Sequence, residues 1–458
     1  MDVKASVPAA SWRTKERKQW MKALFLGCCL LYASRNVLPV CSSEIALELK
    51  WTRQDEGLVM GIFFWGYMLT QFAGGYFSDA LGGEFVLPFT TFIWGFTTVM
   101  FVLLPLVSSQ KDVIFHFFLL ARFLLGIFQG FFYPGLASLM AKRVQTSERQ
   151  FTYAFITSGS HAGTLFCGFV GSFLTEFYDW RIPFFLIGCF ALLWATFVIR
   201  KVYTIDGHSK GFQLLHLPLT SSYKFFGYLT SLPVHDVETG LVSKVDKTPV
   251  QTPHPPSDAV SWGRLTRQPA FWAMLLGNFV FNNTFYIILN WLPSYFHDNY
   301  PDAKSWIFNV VPWLIVVPCA LLGGLMADRL ITQGFSVTFV RKLISSIALL
   351  GTSLFLVLLP VFEGFYSSLL CMALAIACCG FHNSGILLNP QDIAPMHGGQ
   401  VFGVMSTIGT IPGFTGVYFT GYVLEKSRCW STVFQCAATG NLLGWIVYIA
   451  FGSSRPLI

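Results

Sequence analysis

The chain has 458 residues, of which 54% are hydrophobic, 17% aromatic and only 12% charged. Soluble domains carry about 25% charged residues, so these figures, with a mean hydropathy of +0.57, exclude a string of soluble domains and make lipid the main solvent. The net charge of +7 does not gather into a basic stripe on a polar domain, which argues against a nucleic-acid partner.

Long apolar runs with polar punctuation predict twelve helices. The first six cover 21–41, 57–78, 85–107, 113–136, 151–174 and 182–199. The second six cover 271–296, 305–327, 342–361, 365–388, 401–424 and 431–451. The first run contains Arg35 and lacks a small-residue cleavage site, so it reads as a retained span. The domain plan is a tail at 1–20, a six-helix bundle at 21–199, a polar and Pro-rich linker at 200–268, a second bundle at 269–452 and a tail at 453–458. The 11 cysteines fall mostly inside apolar runs without CxxC spacing, which suits small core side chains rather than metal ligands or disulfides.

Orientation follows from Lys and Arg, which concentrate in cytosolic loops. The tails, the linker and alternate loops hold 21 of the 30, while the opposite loops hold 7: Lys50, Arg53, Lys111, Arg181, Lys304, Lys426 and Arg428. Both termini are therefore expected in the cytosol. The halves also repeat. Gly74-Gly75-x-x-x-Asp79 returns as Gly323-Gly324-x-x-x-Asp328, Trp180 as Trp430, and Gly163-Thr164 as Gly409-Thr410. A duplicated six-helix unit is a transporter architecture with its site between the halves at mid-membrane.

Two basic residues remain, Arg35 and Arg122, both inside helices. An arginine at a helix centre costs about 2.5–3.5 kcal/mol on insertion scales, and neither helix offers a carboxylate. The runs place them roughly 10 Å and 13 Å from the non-cytosolic face, so they form a pair at similar depth. A guanidinium is always charged and forks onto phosphate oxygens; an anionic cargo would supply the missing partner, with snorkelling or carbonyl pairing as the alternative. Gln129 stands two turns after Arg122 near the same face. His161 and His382 are titratable groups inside helices, open either to pH or substrate contact or to a structural role. Tyr133, Tyr286 and Trp291 offer faces for a purine, although with 77 aromatic residues in the chain packing is the commoner use. Asn283, Asn383 and Asn389 are polar within apolar runs, suited to a cavity or to helix linkage. Gly163 and Gly409, each in a Gly-x-x-x-Gly set, allow close helix crossings. Asp79 and Asp328 are expected to latch the cytosolic loops between states. No phosphate loop, HExxH or catalytic carboxylate pair occurs, so neither an enzyme nor a cofactor or metal is expected.

The Gly-x-x-x-Asp element, its copy and the Gly-rich fifth helix resemble the major facilitator superfamily, which implies an all-α membrane protein of twelve helices in two bundles. Within it, Phe63-Phe64-Trp65-Gly66-Tyr67-Met68-Leu69-Thr70-Gln71 and the stretch from Arg122 to Tyr133-Pro134 resemble the solute carrier 17 family of organic anion transporters. Trp306-Ile307-Phe308-Asn309-Val310-Val311-Pro312-Trp313-Leu314, Asn383-Ser384-Gly385-Ile386 and Gln391-Asp392 are similar to its vesicular nucleotide transporter branch. That resemblance implies a carrier of ATP, ADP and GTP from cytosol into secretory or synaptic vesicles or lysosomes, driven by membrane potential, with Arg122 essential and chloride as an activating ion; a monomer is expected. An anion of charge about −4 gains roughly 9 kcal/mol across 100 mV, so no proton is required. Gln129 replaces a glutamate of proton-coupled and glutamate-carrying relatives, Met60 a histidine and Phe281 an arginine of the glutamate-carrying branch; these departures argue against glutamate and proton symport. In this family the first latch has basic partners close by, whereas Leu81 to Glu84 supplies none. The competing expectations are an H⁺- or Na⁺-coupled carrier of sialic acid, urate or phosphate, and a non-transporting anion sensor.

Overall fold

The computed structural model describes residues 12, 14–108, 110–144, 146–205, 262–395 and 398–457, excluding the side chains of 72, 79, 80, 141, 146–151, 154 and 202–205. Most of the expected linker and of the N-terminal tail fall outside these residues. In lipid every backbone N–H and C=O must be satisfied within its own segment, and the described chain is accordingly helical. The first half contains α1 (Thr14–Leu49), α2 (Arg53–Leu81), α3 (Gly83–Met100), α4 (Lys111–Gln129 then Phe132–Arg143), α5 (Thr146–Phe166, a wider turn at Cys167–Gly171, then Ser172–Phe177) and α6 (Arg181–Ile205). The second contains α7 (Pro269–Asn299), α8 (Ser305–Leu314 then Val316–Thr332), α9 (Val337–Ser346, a wider turn at Ile347–Gly351, then Thr352–Leu358), α10 (Phe365–Gly380), α11 (Gly398–Ser427) and α12 (Trp430–Phe451). Nine of these rods are long and apolar enough to cross a membrane; α2, α3 and α5 complete the two sets of six.

The duplication read from sequence is a duplication of packing. In the first half α1 packs on α5, α2 on α4 and α3 on α6; in the second α7 packs on α11, α8 on α10 and α9 on α12. Gly163 shows why the glycines recur: a Cβ there would collide with the Cys29 carbonyl of α1, and one at Gly409 would meet the Asn278 amide of α7 at 2.5 Å. Trp180 stands just before the last helix of the first half, and Trp430 begins that of the second.

Several predicted ends are corrected. α1 runs to Leu49 rather than 41, because hydropathy sees only the apolar stretch while hydrogen bonding carries the helix on through polar residues. The short-loop entry to α2 is a capping box, in which Thr52 accepts from the Asp55 N–H and Asp55 accepts from the Thr52 N–H at 3.0 Å. Gly82, with φ +92, makes the sharp junction to α3. The run predicted as one helix to 388 ends at Gly380 and continues as tight turns, Phe381–Ser384 and Ile386–Leu388, before a short helix Asn389–Ile393. α6 extends into the span assigned to the linker, ending at Ile205, while α7 starts at Pro269, where the second bundle was expected to begin.

The halves meet across α2 with α11, α1 with α7 and α5 with α8. The described hydrogen bonds that join them cluster toward the face opposite the termini, here the far face. Arg53 of α2 pairs with Asp298 of α7, its backbone N–H donates to Glu425 of α11 at 3.0 Å, and Gln54 donates to Tyr418 at 2.7 Å. Ser42 and Ser294 stand 3.3 Å apart, and Asn309 donates to Ser172 at 2.8 Å. Such closure on one side is the geometry of an alternating-access carrier sealed at its far face.

Candidate anion site

Three helices of the first half build the site. Arg35 lies near the middle of α1, deeper than its apolar run suggested, and Arg122 lies inside α4. Arg35 is 8% exposed and Arg122 1%. Neither has a carboxylate partner among the described residues. The Arg35 guanidinium instead sits over the rings of Tyr32 at 4.7 Å, Phe63 at 4.9 Å and Tyr67 at 4.7 Å, and its Nε donates a long bond to Gln129 Oε1 at 3.4 Å. Its Nη2 has no hydrogen-bond partner among the described residues. Arg122 sits over Phe63 at 5.1 Å and donates from Nε to the Val59 carbonyl at 3.4 Å.

Magnitudes show what this arrangement lacks. A cation–π contact contributes about 0.5–2 kcal/mol, whereas removing a charge from water costs several kcal/mol per ion even after relaxation. Rings and two long hydrogen bonds leave both cations undercompensated, and the free Nη2 is a donor awaiting an acceptor. The chemistry favoured here is reversible binding of an anion.

The other predicted residues divide. Tyr133 joins the cluster, donating to the Tyr32 hydroxyl at 3.1 Å, and Tyr286 brings α7 to it, 4.6 Å from the Phe64 ring and within electrostatic reach of Arg35. Gln129 is wholly buried and spans from Arg35 to Ser34, to which its Nε2 donates at 3.4 Å; it orients the arginine rather than lining an open cleft. His161 is half-buried on α5, two residues from both Gly159 and Gly163 and so turned from the α1 crossing they make. His382 is buried in the tight turn after α10, flat against Phe281 at 3.6 Å, with Nε2 3.2 Å from Asn278 Oδ1 and Nδ1 unpartnered among the described residues. Asn283 packs its Oδ1 where a Cβ on Gly416 would go, on the α7–α11 crossing, and Asn383 is exposed.

One reading is corrected. Asn389 is not at the central cluster: it donates to the Ser453 carbonyl and Ser454 Oγ, both at 3.0 Å, and accepts from Tyr448 at 3.3 Å, so it anchors the C-terminal segment. Trp291 takes the packing role that is the commoner expectation for an aromatic in this chain: it is 1% exposed and donates to the Val417 carbonyl at 3.1 Å. Asp328 is exposed with no ion-pair partner among the described residues, and the Asp79 side chain lies outside the description. Among the described residues the tail face carries ion pairs of Arg143 with Glu84 and of Arg341 with Asp392 at 2.9 Å. Sequence reasoning missed Tyr32, Phe63 and Tyr67; the only available signals were Tyr32 one turn before Arg35 and the i, i+4 spacing of Phe63 and Tyr67 on α2.

The Major Facilitator Superfamily profile matches residues 24–417. The voltage-gated purine nucleotide uniporter SLC17A9 of Homo sapiens is 35% identical over 97% of this chain and 94% of its own. The chain belongs to the major facilitator superfamily, in the solute carrier 17 family. Probable anion transporter 4, chloroplastic, of Oryza sativa subsp. japonica is 29% identical over 98% of this chain and 71% of its own. The fold matches a crystal structure of a bacterial homologue of the human lysosomal transporter Spinster, with TM-score 0.67, 14% identity and 97% of both chains covered. As a facilitator-superfamily protein the chain is a multi-pass membrane transporter and not an enzyme, and its buried arginines lie in the bundle that alternating access exposes to each side in turn.

Proposed function

We infer that the protein carries ATP and related purine nucleotides, ADP and GTP among them, from cytosol into secretory vesicles or lysosome-related organelles, driven by membrane potential and stimulated by chloride. The observation that carries this reading is the pair of buried guanidiniums without acidic partners among the described residues, one with a donor free among them. The similarity to a purine nucleotide uniporter supports the cargo. Gln129, an amide that cannot titrate, supports transport without a coupled proton. Tyr133 and Tyr286 flank the arginines from opposite halves and offer faces for the base. The excess of Lys and Arg on the tail face supports a cytosolic position for both termini.

Purified protein in liposomes, given an inside-positive potential and no pH gradient, should accumulate labelled ATP, and an Arg122→Ala protein should not. Absence of uptake by the wild type ends the reading; uptake by Arg122→Ala removes the site. Uptake abolished by collapse of a pH gradient at fixed potential would replace it with a proton-coupled organic anion carrier.

A further inference from the structure

Both guanidiniums rest on the same ring. Arg35 and Arg122 come from α1 and α4, while the ring beneath them, Phe63, comes from α2 and is fully buried. Centroid distances of 4.9 Å and 5.1 Å hold the two charges within about 10 Å of each other, and like charges at that range in a dry interior repel. The face of an aromatic ring carries partial negative charge. A ring shared by both cations opposes their repulsion without occupying an N–H donor, whereas a carboxylate would neutralise them and occupy the donors a cargo needs. The ring is itself fixed. Tyr67 stacks on it at 5.7 Å and 25°, and Gly126 of α4 admits the Phe63 carbonyl so closely that a Cβ there would collide.

We propose that Phe63 is the positioning residue of the anion site: it holds Arg35 and Arg122 at a spacing that one polyphosphate chain can bridge and keeps their donors free for it. The proposal takes its cargo from the nucleotide reading above. It is tested with the full-length protein in liposomes under an inside-positive potential, replacing Phe63 by mono-, di- and trifluorinated phenylalanine, which drains the ring face of negative charge at nearly constant size. KM for ATP should rise stepwise, about tenfold at three fluorines, the size expected of two weakened cation–π contacts. The maximal rate should stay within about twofold, since the ring acts on binding rather than on the conformational step. Phe63→Leu should match the trifluorinated protein. A KM that ignores fluorine count overturns the proposal, even where Phe63→Leu is inactive. Wild-type protein that takes up no ATP ends the nucleotide reading instead. In that case the same series is read by thermal stabilisation of the purified protein with inorganic tripolyphosphate: a shift that shrinks with fluorination supports the positioning role, and one that does not overturns it.

Discussion

One arginine with partners on three helices braces the closed far face, and removing it should shift the carrier toward opening there. Arg53 donates to Glu56 on its own helix at 2.7 Å, pairs with Asp298 on α7 and donates from its backbone to Glu425 on α11. Arg53 and Asp298 are 29% and 26% exposed, so the cross-half pair alone contributes only about 0.2–1 kcal/mol. Asp298→Asn should therefore shift the equilibrium toward the far-open state by no more than about fivefold. Arg53→Met is a larger change. Glu56 is 1% exposed, and one of its oxygens already lacks a partner among the described residues. Stripped of its cation, it becomes an uncompensated buried charge costing about 3–5 kcal/mol, which any conformation that wets Glu56 relieves. The far-open population should rise by a factor of about 10² or more. Spin labels at Leu47 and Tyr366, exposed near the far ends of α1 and α10, report the separation of the halves by pulsed electron paramagnetic resonance. An Arg53→Met distance distribution identical to wild type would refute the gate and the far-face sealing derived from it.

Three further outcomes test other parts of the reasoning. Gln129→Glu places a carboxylate where the amide oxygen now stands 3.4 Å from the Arg35 Nε, so it should compete with the cargo and lower ATP uptake at neutral pH by about tenfold or more. Acidification protonates that carboxylate and should restore uptake, the opposite of a simple loss of folding; a flat pH profile counts against Arg35 as an anion ligand. Gly163→Val drives a side chain into the α1 backbone at Cys29, and the overpacking should cost about 1–3 kcal/mol, visible as a lowered melting temperature in detergent and reduced uptake; unchanged melting removes the close crossing. Cys429 is exposed in the loop between α11 and α12, its thiol pulled below the ordinary range by hydrogen bonding to Ser431. A membrane-impermeant maleimide should label it only from the side opposite the tails, and labelling from the cytosol would invert the orientation.

Much was legible in the residues themselves. Twelve apolar runs and the repeated Gly-x-x-x-Asp and Gly-Thr elements announced a duplicated carrier, and two arginines without carboxylates marked its candidate anion site, because lipid imposes helices and penalises unpaired charge whatever the tertiary arrangement. Helix interiors were found correctly while ends such as Leu49 and the unwound turn after Gly380 were not, since hydropathy records solvent and not hydrogen bonding. The tertiary structure alone decided the partners. Arg53 and Asp298 are 245 positions apart, and Arg35 and Arg122 meet over a phenylalanine from a third helix, which no local pattern encodes. It also sent Asn389 to the C-terminal segment and made Gln129 a brace for Arg35. A sequence fixes which groups cannot remain alone in lipid; only the packing of helices distant along the chain fixes which neighbour each one finds.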